Sequence, residues 1–262
     1  MHAQSFSRQL IGSAMLLLAS ASGCAPNSHL GSDVIWATDH ESGTTDDWVA
    51  DGGGGLLLDT AGSTVEVSDE FSHSGRYALK ITDLAKSDMV GPGVYRELQA
   101  PADAFYSAWY YLPRPYKTNS QWTIQKFRSR SDSDAEQVNH GHDLNLRTLP
   151  GGQVILYLYS HDPAYLQAPL ADPPAFVPVE TWFHLETFYS ARTDSTGQLE
   201  VWLDDRLVYD LKDRRTTGSD DVLWTPCNIG EDIQPSPPEL YVDDAGISRV
   251  RVTRNGTLLN SP

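Results

Sequence analysis

Basic side chains and histidines cluster in one stretch of an acidic chain. The 262 residues carry a formal charge of −16. Residues 104–150 nevertheless hold six basic side chains against four acidic ones, before His140 and His142 are counted. The basic ones are Arg114, Lys117, Lys126, Arg128, Arg130 and Arg147. Because a basic region on an acidic protein steers anions toward itself, we expect this stretch to bind a polyanionic ligand.

His140 and His142 flank a single glycine in the polar stretch from residue 132 to residue 143. Histidines two residues apart can ligate a metal ion, yet no third ligand follows at an obvious spacing. The simpler interpretation is a loop with exposed histidines. The run from Arg128 to Asp132 is open to the same interpretation.

Alternation of apolar and polar residues predicts strands over most of the chain. Leu144 and Leu146, for example, fall on one side of such a strand, and Asn145 and Arg147 fall on the other. The same pattern recurs in residues 154–159, 183–189 and 199–204. Turn sequences separate these segments, and no helical period is evident. We therefore predict one all-β antiparallel sandwich over residues 33–254.

The first 24 residues have the layout of a bacterial signal peptide. Arg8 supplies a positive charge, and the apolar stretch from Leu10 to Ala21 is too short to span a bilayer. The segment Ala21-Ser22-Gly23-Cys24 resembles a lipobox, whose cysteine is diacylated and becomes the new N-terminus, although Ala21 stands where leucine is usual. We predict a signal peptide over residues 1–23, lipid attachment and a tether over 24–32, and a C-terminal tail over 255–262.

The lipobox resemblance implies an extracytoplasmic protein, anchored by lipid to the bacterial outer membrane or cell surface. The alternative is an ordinary secretory signal that is cut near Gly23. Loss of residues 1–23 removes Arg8 and no acidic residue, so the charge of −16 becomes −17. Such an acidic surface argues against nucleic acid as a partner. If Cys24 is lipidated, Cys227 has no partner for an internal disulfide.

Three parts of the chain carry a resemblance to a known fold: residues 39–43 with Trp48, residues 73–80, and residues 182–184 and 199–205 with the ending 240–244. They are similar to segments of bacterial concanavalin A-like jelly rolls, which occur in polysaccharide lyases, laminarin-type glucanases and carbohydrate-binding modules. The resemblance implies an antiparallel jelly-roll β-sandwich. A fold of this kind does not fix an activity.

The central part of the chain has the pattern Trp-x-x-Gln in residues 122–127, followed by the predicted strands 143–147 and 154–160. Within that group, this arrangement looks most like the heparin lyase-type polysaccharide lyases, in which such a strand leads into strands that line a sugar groove. The chain departs from the family in having Lys126-Phe127 in place of an aromatic-histidine pair, and residues 227–230 in place of a late Gly-x-Tyr strand.

A lyase acting on a uronic acid must neutralise the carboxylate, remove the α-proton and protonate the leaving oxygen. The resemblance implies that the residues for these steps face one groove. The candidates for neutralising the carboxylate are Gln125, Asn145 and Arg147. The candidate bases are His140 and His142, and the candidate acids are Tyr157 and Tyr159. Lys126, Arg128 and His184 complete the predicted substrate-binding set. The plain alternative for the tyrosines is that they favour strands by propensity or form a sugar-stacking platform.

A second chemistry is suggested by His184, Glu186, Glu200 and Trp202. If their strands are neighbours, two carboxylates and an aromatic ring share one face, as a glycoside hydrolase requires. The close Glu-x-Asp-x-x-Glu spacing of laminarin-type glucanases is absent, however. Trp202 has the further alternative of packing beneath a loop.

The resemblance also implies a structural calcium ion. Related jelly rolls hold Ca²⁺ between an N-terminal glutamate and a late aspartate, and the matching residues here are Glu41 and Asp243. Their oxygen ligands would stabilise the fold and take no part in catalysis. The alternative is that Glu41 is a turn residue and Asp243 merely ends a strand.

Together these features predict an exported, lipid-anchored protein that binds polysaccharide. In the enzymatic interpretation it cleaves an anionic, uronate-containing polysaccharide by β-elimination. In the alternatives it is a non-catalytic carbohydrate-binding protein, or a surface adhesion or envelope protein with a lectin-like fold. The sequence leaves the sugar and its linkage open.

Overall fold

Alternating side chains build two antiparallel sheets that face each other. The computed structural model describes residues 33–57, 62–83, 91–99, 103–118, 122–129, 141–161, 166–218, 221–228, 233–256 and 258–259. Within these ranges the regular structure is β-strand, apart from one 3-10 turn at Asp46–Trp48. The predicted antiparallel β-sandwich is therefore confirmed. No helix in the described ranges is long and apolar enough to cross a membrane. The predicted lipidation site Cys24 lies outside them.

Sheet I contains eight strands: Val34–Thr38 (β1), Thr64–Ser68 (β3), Ala78–Thr82 (β4), Asp103–Tyr111 (β6), Phe183–Ser190 (β13), Gly197–Leu203 (β14), Arg206–Arg214 (β15) and Glu239–Ser248 (β18). Their order across the sheet is β15-β14-β13-β6-β18-β4-β3, with β1 also paired to β18. The long strand β18 has a register shift between Asp243 and Gly246, and β1 pairs only with its second half. Sequence-distant strands are thus brought side by side at the centre of the sheet.

Sheet II also contains eight strands: Gly54–Leu57 (β2), Gly93–Gln99 (β5), Trp122–Arg128 (β8), Gly141–Thr148 (β9), Val154–Ser160 (β10), Leu166–Gln167 (β11), Phe176–Val177 (β12) and Asp221–Asn228 (β16). Their order is β11-β10-β9-β8-β16-β5-β2, and β12 pairs with the same edge of β10 as β11 does. Two small pairs join Lys117–Thr118 (β7) to Ile233–Gln234 (β17), and Arg251–Val252 (β19) to Leu258–Leu259 (β20). The predicted tail over 255–262 therefore includes one short strand.

The core lies between the two sheets and is rich in aromatic rings. Trp48, Trp122 and Trp224 are fully buried. Phe127 of sheet II stacks on Tyr189 of sheet I at 4.6 Å between ring centroids, inclined by 13°. Burial of such large apolar side chains on both inner faces is what holds the sandwich together, at roughly 1.5–3 kcal/mol for each fully buried side chain.

Strict alternation decides which residues of β9 and β10 reach this core. Leu144 and Leu146 point inward and are fully buried, opposite Leu158 and Leu156 of β10. The residues between them point to the other side of sheet II, which we call the open face. Directly opposed residues of antiparallel strands share a face, so the register identifies the members of the open face.

A β-bulge interrupts the alternation of β8. Thr123 lies opposite Asn145, and Gln125 lies opposite Leu144, so Ile124 is an extra residue in β8. Ile124 and Gln125 consequently both point toward the core, and both are fully buried. From Lys126 onward, each side chain of β8 therefore points to the face opposite to the one that alternation from Trp122 predicts.

The C-terminal segment covers the part of the outer face of sheet I around Glu186 and Trp202. The carboxylate of Glu186 accepts hydrogen bonds from Nε of Arg251 at 2.7 Å and from the backbone N–H of Val252 at 2.6 Å. The Arg251 guanidinium also lies 4.3 Å from the ring centre of Trp202. Burial raises the pKa of Glu186 to about 7, although both hydrogen bonds favour the charged form.

This buried carboxyl group should make stability depend on pH. Because the folded-state pKa lies above the ordinary value of 4.5, the folded chain binds more protons between these values, and the contribution of Glu186 falls as pH rises toward 7. Glu186→Gln should reduce the fall in the free energy of unfolding over this pH range by up to about 3 kcal/mol. Urea unfolding at pH 5 and pH 7.5 measures the effect. The exposed Glu66→Gln is the matched control, and equal slopes in all three proteins would contradict this account.

Candidate functional site

Polar side chains converge on the open face where β8, β9 and β10 run side by side. Lys126 of β8 lies opposite Asp143 of β9, which lies opposite Tyr159 of β10. These three residues form one row across the strands. A second row, one pleat further along, consists of Thr123, Asn145 and Tyr157. Arg147 begins a third row.

Asp143 is the electrostatic centre of the first row. Its carboxylate pairs with the Arg128 guanidinium at 2.6 Å and accepts a hydrogen bond from Nε2 of His161 at 2.8 Å. Burial alone would raise the pKa of Asp143, but His161 and Arg128 outweigh it and hold this pKa at about 2. Asp143 is therefore a fixed negative charge beneath the open face, and Arg128 and His161 are tied to it.

Lys126 lies beside this fixed charge. The side chain is partly exposed, but burial of the ammonium group lowers the pKa of Lys126. The Asp143 carboxylate offsets part of this decrease, and the Arg128 guanidinium adds to it. A lysine with a lowered pKa carries a larger fraction of neutral amine near neutral pH, and only the neutral amine can accept a proton.

Arg147 and the tyrosines provide the remaining groups. The Arg147 guanidinium lies 5.1 Å from the ring centre of Tyr157, which orients the cation on the open face. Burial raises the pKa of Tyr157, so its hydroxyl stays protonated. The Tyr159 ring packs edge-on against His161 at 5.3 Å. Lys126, Arg128, Arg147, Tyr157 and Tyr159 thus all lie on the predicted face.

Asn145 lies on that face but is fully buried. Its side-chain oxygen accepts a hydrogen bond from Oγ1 of Thr123 at 2.7 Å, and its amide nitrogen donates to the backbone carbonyl of Asp143 at 3.2 Å. The prediction that Asn145 binds substrate directly is wrong for this arrangement, since its polar atoms face neighbouring strands. Asn145 therefore fixes the backbone of β9 at Asp143.

The prediction that Gln125 lines the same groove as Arg147 is also wrong. Gln125 is fully buried, and its side-chain oxygen accepts a hydrogen bond from Oγ1 of Thr187 in sheet I at 2.8 Å. The physical reason is the bulge at Ile124, which turns Gln125 inward and Lys126 outward. Gln125 therefore connects the two sheets and cannot reach a ligand on the open face.

His142 was predicted as a candidate base, and the structure places it in the core. It shares the side of Leu144, is 1% exposed, and packs edge-on against Tyr189. Burial lowers the pKa of His142 to about 3, so the ring stays neutral. A base role on the open face is thereby excluded. His140 lies outside the described residues.

His184 is not on the open face either, which corrects its predicted role in substrate binding. It lies on the outer face of sheet I, opposite Trp109, and burial lowers its pKa to about 4. Glu186 and Trp202 are cross-strand neighbours on that same face, as the hydrolase alternative required. Arg251 covers both, however, so no catalytic carboxylate pair is presented there.

The two predicted calcium ligands hold one backbone loop from two sides. Oε1 of Glu41 accepts the N–H groups of Arg76 and Tyr77, both at 2.8 Å. Oδ2 of Asp243 accepts the N–H groups of His73 and Ser74, at 2.8 and 3.2 Å. Oxygens that face N–H donors fit a hydrogen-bonded loop better than a cation shell. Among the described residues no three His, Cys, Asp or Glu side chains group as metal ligands. Calcium binding stays a prediction.

Gly75 lies inside this loop with a positive φ of 57°. A Cβ atom at that position would collide with the Glu41 carboxylate. The loop geometry thus requires glycine at position 75.

Two members of the site were not singled out from the sequence. Asp143 is two residues before Asn145 and four before Arg147, so alternation alone places it on the same face as they are. His161 follows Tyr159 by two residues and keeps its side, although it lies just beyond β10. The ion pairs that join Asp143 to Arg128 and His161 depend on register between strands, which the sequence does not display.

Comparison with known proteins identifies the fold and the family. A polysaccharide lyase family model matches residues 40–227. No curated protein sequence matches the chain. The resemblance to polysaccharide lyases expected from the sequence is therefore confirmed.

Three solved structures illustrate the fold. The endo-β-1,4-glucuronan lyase of the fungus Trichoderma reesei is 13% identical with a TM-score of 0.60, over 82% of this chain and 95% of that one. Cellulose-induced protein Cip1 is 16% identical with a TM-score of 0.58, over 83% and 98%. A variant of alginate lyase Aly36B in complex with alginate tetrasaccharide is 14% identical with a TM-score of 0.56, over 84% and 96%. These neighbours confirm the jelly-roll sandwich.

The core position of Gln125 can be tested by stability. Gln125→Ala should lower the free energy of unfolding by about 2–4 kcal/mol, because it leaves a cavity and removes the buried hydrogen-bond acceptor of the Thr187 hydroxyl. Combining Gln125→Leu with Thr187→Val removes both polar partners and should cost less than Gln125→Ala. Urea unfolding monitored by tryptophan fluorescence measures both. A Gln125→Ala protein of wild-type stability would show that Gln125 does not bridge the sheets.

Proposed function

Because the chain belongs to the polysaccharide lyase family, we propose that it cleaves a uronate-containing polysaccharide by β-elimination on the open face of sheet II. The observation that carries this proposal is the row formed by Lys126, Asp143 and Tyr159. It supplies an amine with a lowered pKa and a phenol on one face, and Arg147 lies on the same face, four residues along β9 from Asp143.

Each group has one task in the proposed reaction. Arg147 pairs with the uronate carboxylate and stabilises the negative charge that develops when C5 loses its proton. The neutral amine of Lys126 takes that proton. The electron pair of the broken C5–H bond forms the C4–C5 double bond as the C4–O bond breaks. Tyr159 protonates the leaving oxygen, and proton exchange with solvent restores Lys126 and Tyr159.

Asp143 acts through its neighbours in this scheme. Its fixed charge holds Arg128 and His161 in place. It also limits the fall in the pKa of Lys126, so that the amine still binds the proton it removes. The pKa of such a base should lie below that of a solvent-exposed lysine and above the working pH. We therefore regard Asp143 as a positioning residue.

The substrate class follows from the charges of the open face. Even when the Lys126 amine is neutral, Arg128 and Arg147 bring two guanidinium groups to this region, against the one carboxylate of Asp143. A net positive site on a chain of −16 favours a polyanion. Glucuronan and alginate, named for two structural neighbours, are both polymers of uronic acids. The likeness to those neighbours supports the fold, and the cations support the substrate class.

The proposal predicts that Lys126→Met abolishes turnover. Incubation with polyglucuronate or alginate, followed by ultraviolet absorbance of the C4–C5 double bond, measures the reaction. Lys126→Arg should be equally inactive, because a guanidinium does not lose its proton at accessible pH. For the wild type, kcat/KM should rise with pH on the alkaline side of neutrality, as Lys126 loses its proton below the ordinary lysine pKa of 10.5.

The control is Lys212→Met, which removes an exposed lysine of sheet I and should keep wild-type activity. Arg147→Ala should weaken polymer binding by about 1.5–3 kcal/mol. Wild-type protein that binds a polyuronate through Arg147 but forms no unsaturated product would assign non-catalytic carbohydrate binding, and activity that survives Lys126→Met would remove Lys126 as the base.

We further propose that the protein works outside the cytoplasm, anchored by lipid on Cys24. The short apolar stretch from Leu10 to Ala21 and the small residues before Cys24 support this proposal. Cys24→Ser should move the protein from the membrane fraction to the soluble fraction, since two acyl chains provide the anchorage. Immunoblotting of the two fractions measures the change. Wild-type protein recovered entirely in the soluble fraction would refute the anchor.

A further inference from the structure

One large apolar side chain is exposed at the edge of the open face. Four such residues are exposed in the described part of the chain: Val49, Leu170, Phe176 and Leu207. Phe176 is the most exposed of them, at 48%. A single exposed apolar residue is ordinary on a protein surface, so exposure alone means little. Its position is what distinguishes Phe176.

The strand register places Phe176 in the same row as Arg147. Phe176 of β12 lies opposite Ile155 of β10, and Ile155 lies opposite Arg147 of β9. Opposed residues in antiparallel strands share a face, so all three side chains belong to the open face. With neighbouring strands about 4.8 Å apart, Phe176 lies roughly 10 Å from Arg147 across the sheet. Ile155 between them is buried, at 1% exposed.

The backbone that carries the Phe176 ring is firmly held. Leu156 of β10 donates its N–H to the Ala175 carbonyl at 2.8 Å. The Arg206 guanidinium donates to the carbonyls of Pro173 and Pro174, both at 3.0 Å. The residues on either side of Phe176, Ala175 and Val177, are buried. The ring is therefore presented to solvent by a fixed frame.

The chemistry of this row suits a sugar residue of an acidic polysaccharide. A pyranose ring has an apolar face of C–H groups that packs against a flat aromatic ring. Phe176 has no hydrogen-bonding group, so stacking is the contact it can make. A chain that runs across the strands and places a uronate carboxylate on Arg147 would pass over buried Ile155 and bring its next residues to Phe176.

From these observations we propose that Phe176 forms a sugar-stacking subsite at the β12 edge of the open face, which binds the polysaccharide beyond the reacting residue. This subsite rests on the proposed function, because it takes the same chain that Arg147 holds. It contributes affinity for oligosaccharides long enough to span from Arg147 to β12. Shorter ones do not reach it. Phe176 is a binding residue in this proposal and takes no part in proton transfer.

The test measures binding without turnover. In the Lys126→Met background, titration calorimetry with oligoglucuronates of defined length gives Kd for each chain length. Adding Phe176→Ala should raise Kd about five- to tenfold for long oligomers and leave that of the disaccharide unchanged. Phe176→Tyr keeps the flat ring and should stay within about twofold of the background. Leu207→Ala is the matched control, since Leu207 is 46% exposed and lies in sheet I.

The outcomes separate this subsite from the function on which it rests. If Arg147→Ala weakens binding while Phe176→Ala leaves Kd for long oligomers unchanged, the subsite is refuted and the open-face site stands. If neither substitution changes Kd, both proposals fail. An equal loss for long and short oligomers would also overturn the subsite, because it would indicate a general disturbance of the sheet. Circular dichroism and thermal melting of each variant confirm that the fold is intact.

Discussion

The extra residue at Ile124 fixes the orientation of every later side chain in β8. Before the bulge, Trp122 points into the core, and simple alternation would send Lys126 there too. The bulge reverses the alternation, so that Gln125 and Phe127 contact sheet I and Lys126 and Arg128 reach the open face. A shift of one residue moves a whole set of side chains to the opposite face of a sheet. Two of the basic side chains on the open face, Lys126 and Arg128, therefore depend on this one irregularity.

Burial and charge compete at the site that results. Removing an ammonium group from water lowers its pKa, and a neighbouring carboxylate raises it again. Lys126 is held between these two effects, with Asp143 kept ionised by Arg128 and His161. On the outer face of sheet I, by contrast, burial outweighs the neighbouring charge. There Glu186 is buried under Arg251, and its raised pKa reflects a carboxyl group that has been closed off from substrate.

Much of the fold was predictable because alternation is a local property. The leucines of β9 and β10 already separate the core side from the side of Asp143, Arg147 and Tyr159. The same rule, applied as far as His142, places that histidine in the core. The bulge in β8 was not predictable, because nothing in the residues 122–128 marks an inserted position. Long-range pairing was equally hidden, which is why the closure of Glu186 by Arg251 and the burial of Asn145 emerge only in three dimensions.

The edge of sheet II that carries Phe176 is also poorly suited to pair with a strand of another molecule. Two short strands, β11 and β12, share one side of β10, and the chain between residues 166 and 178 contains four prolines. Proline has no N–H to donate, so this stretch lacks the regular row of donors that another strand would need in order to add itself to the sheet. The irregular border keeps an aromatic ring accessible to solvent without offering a template for aggregation.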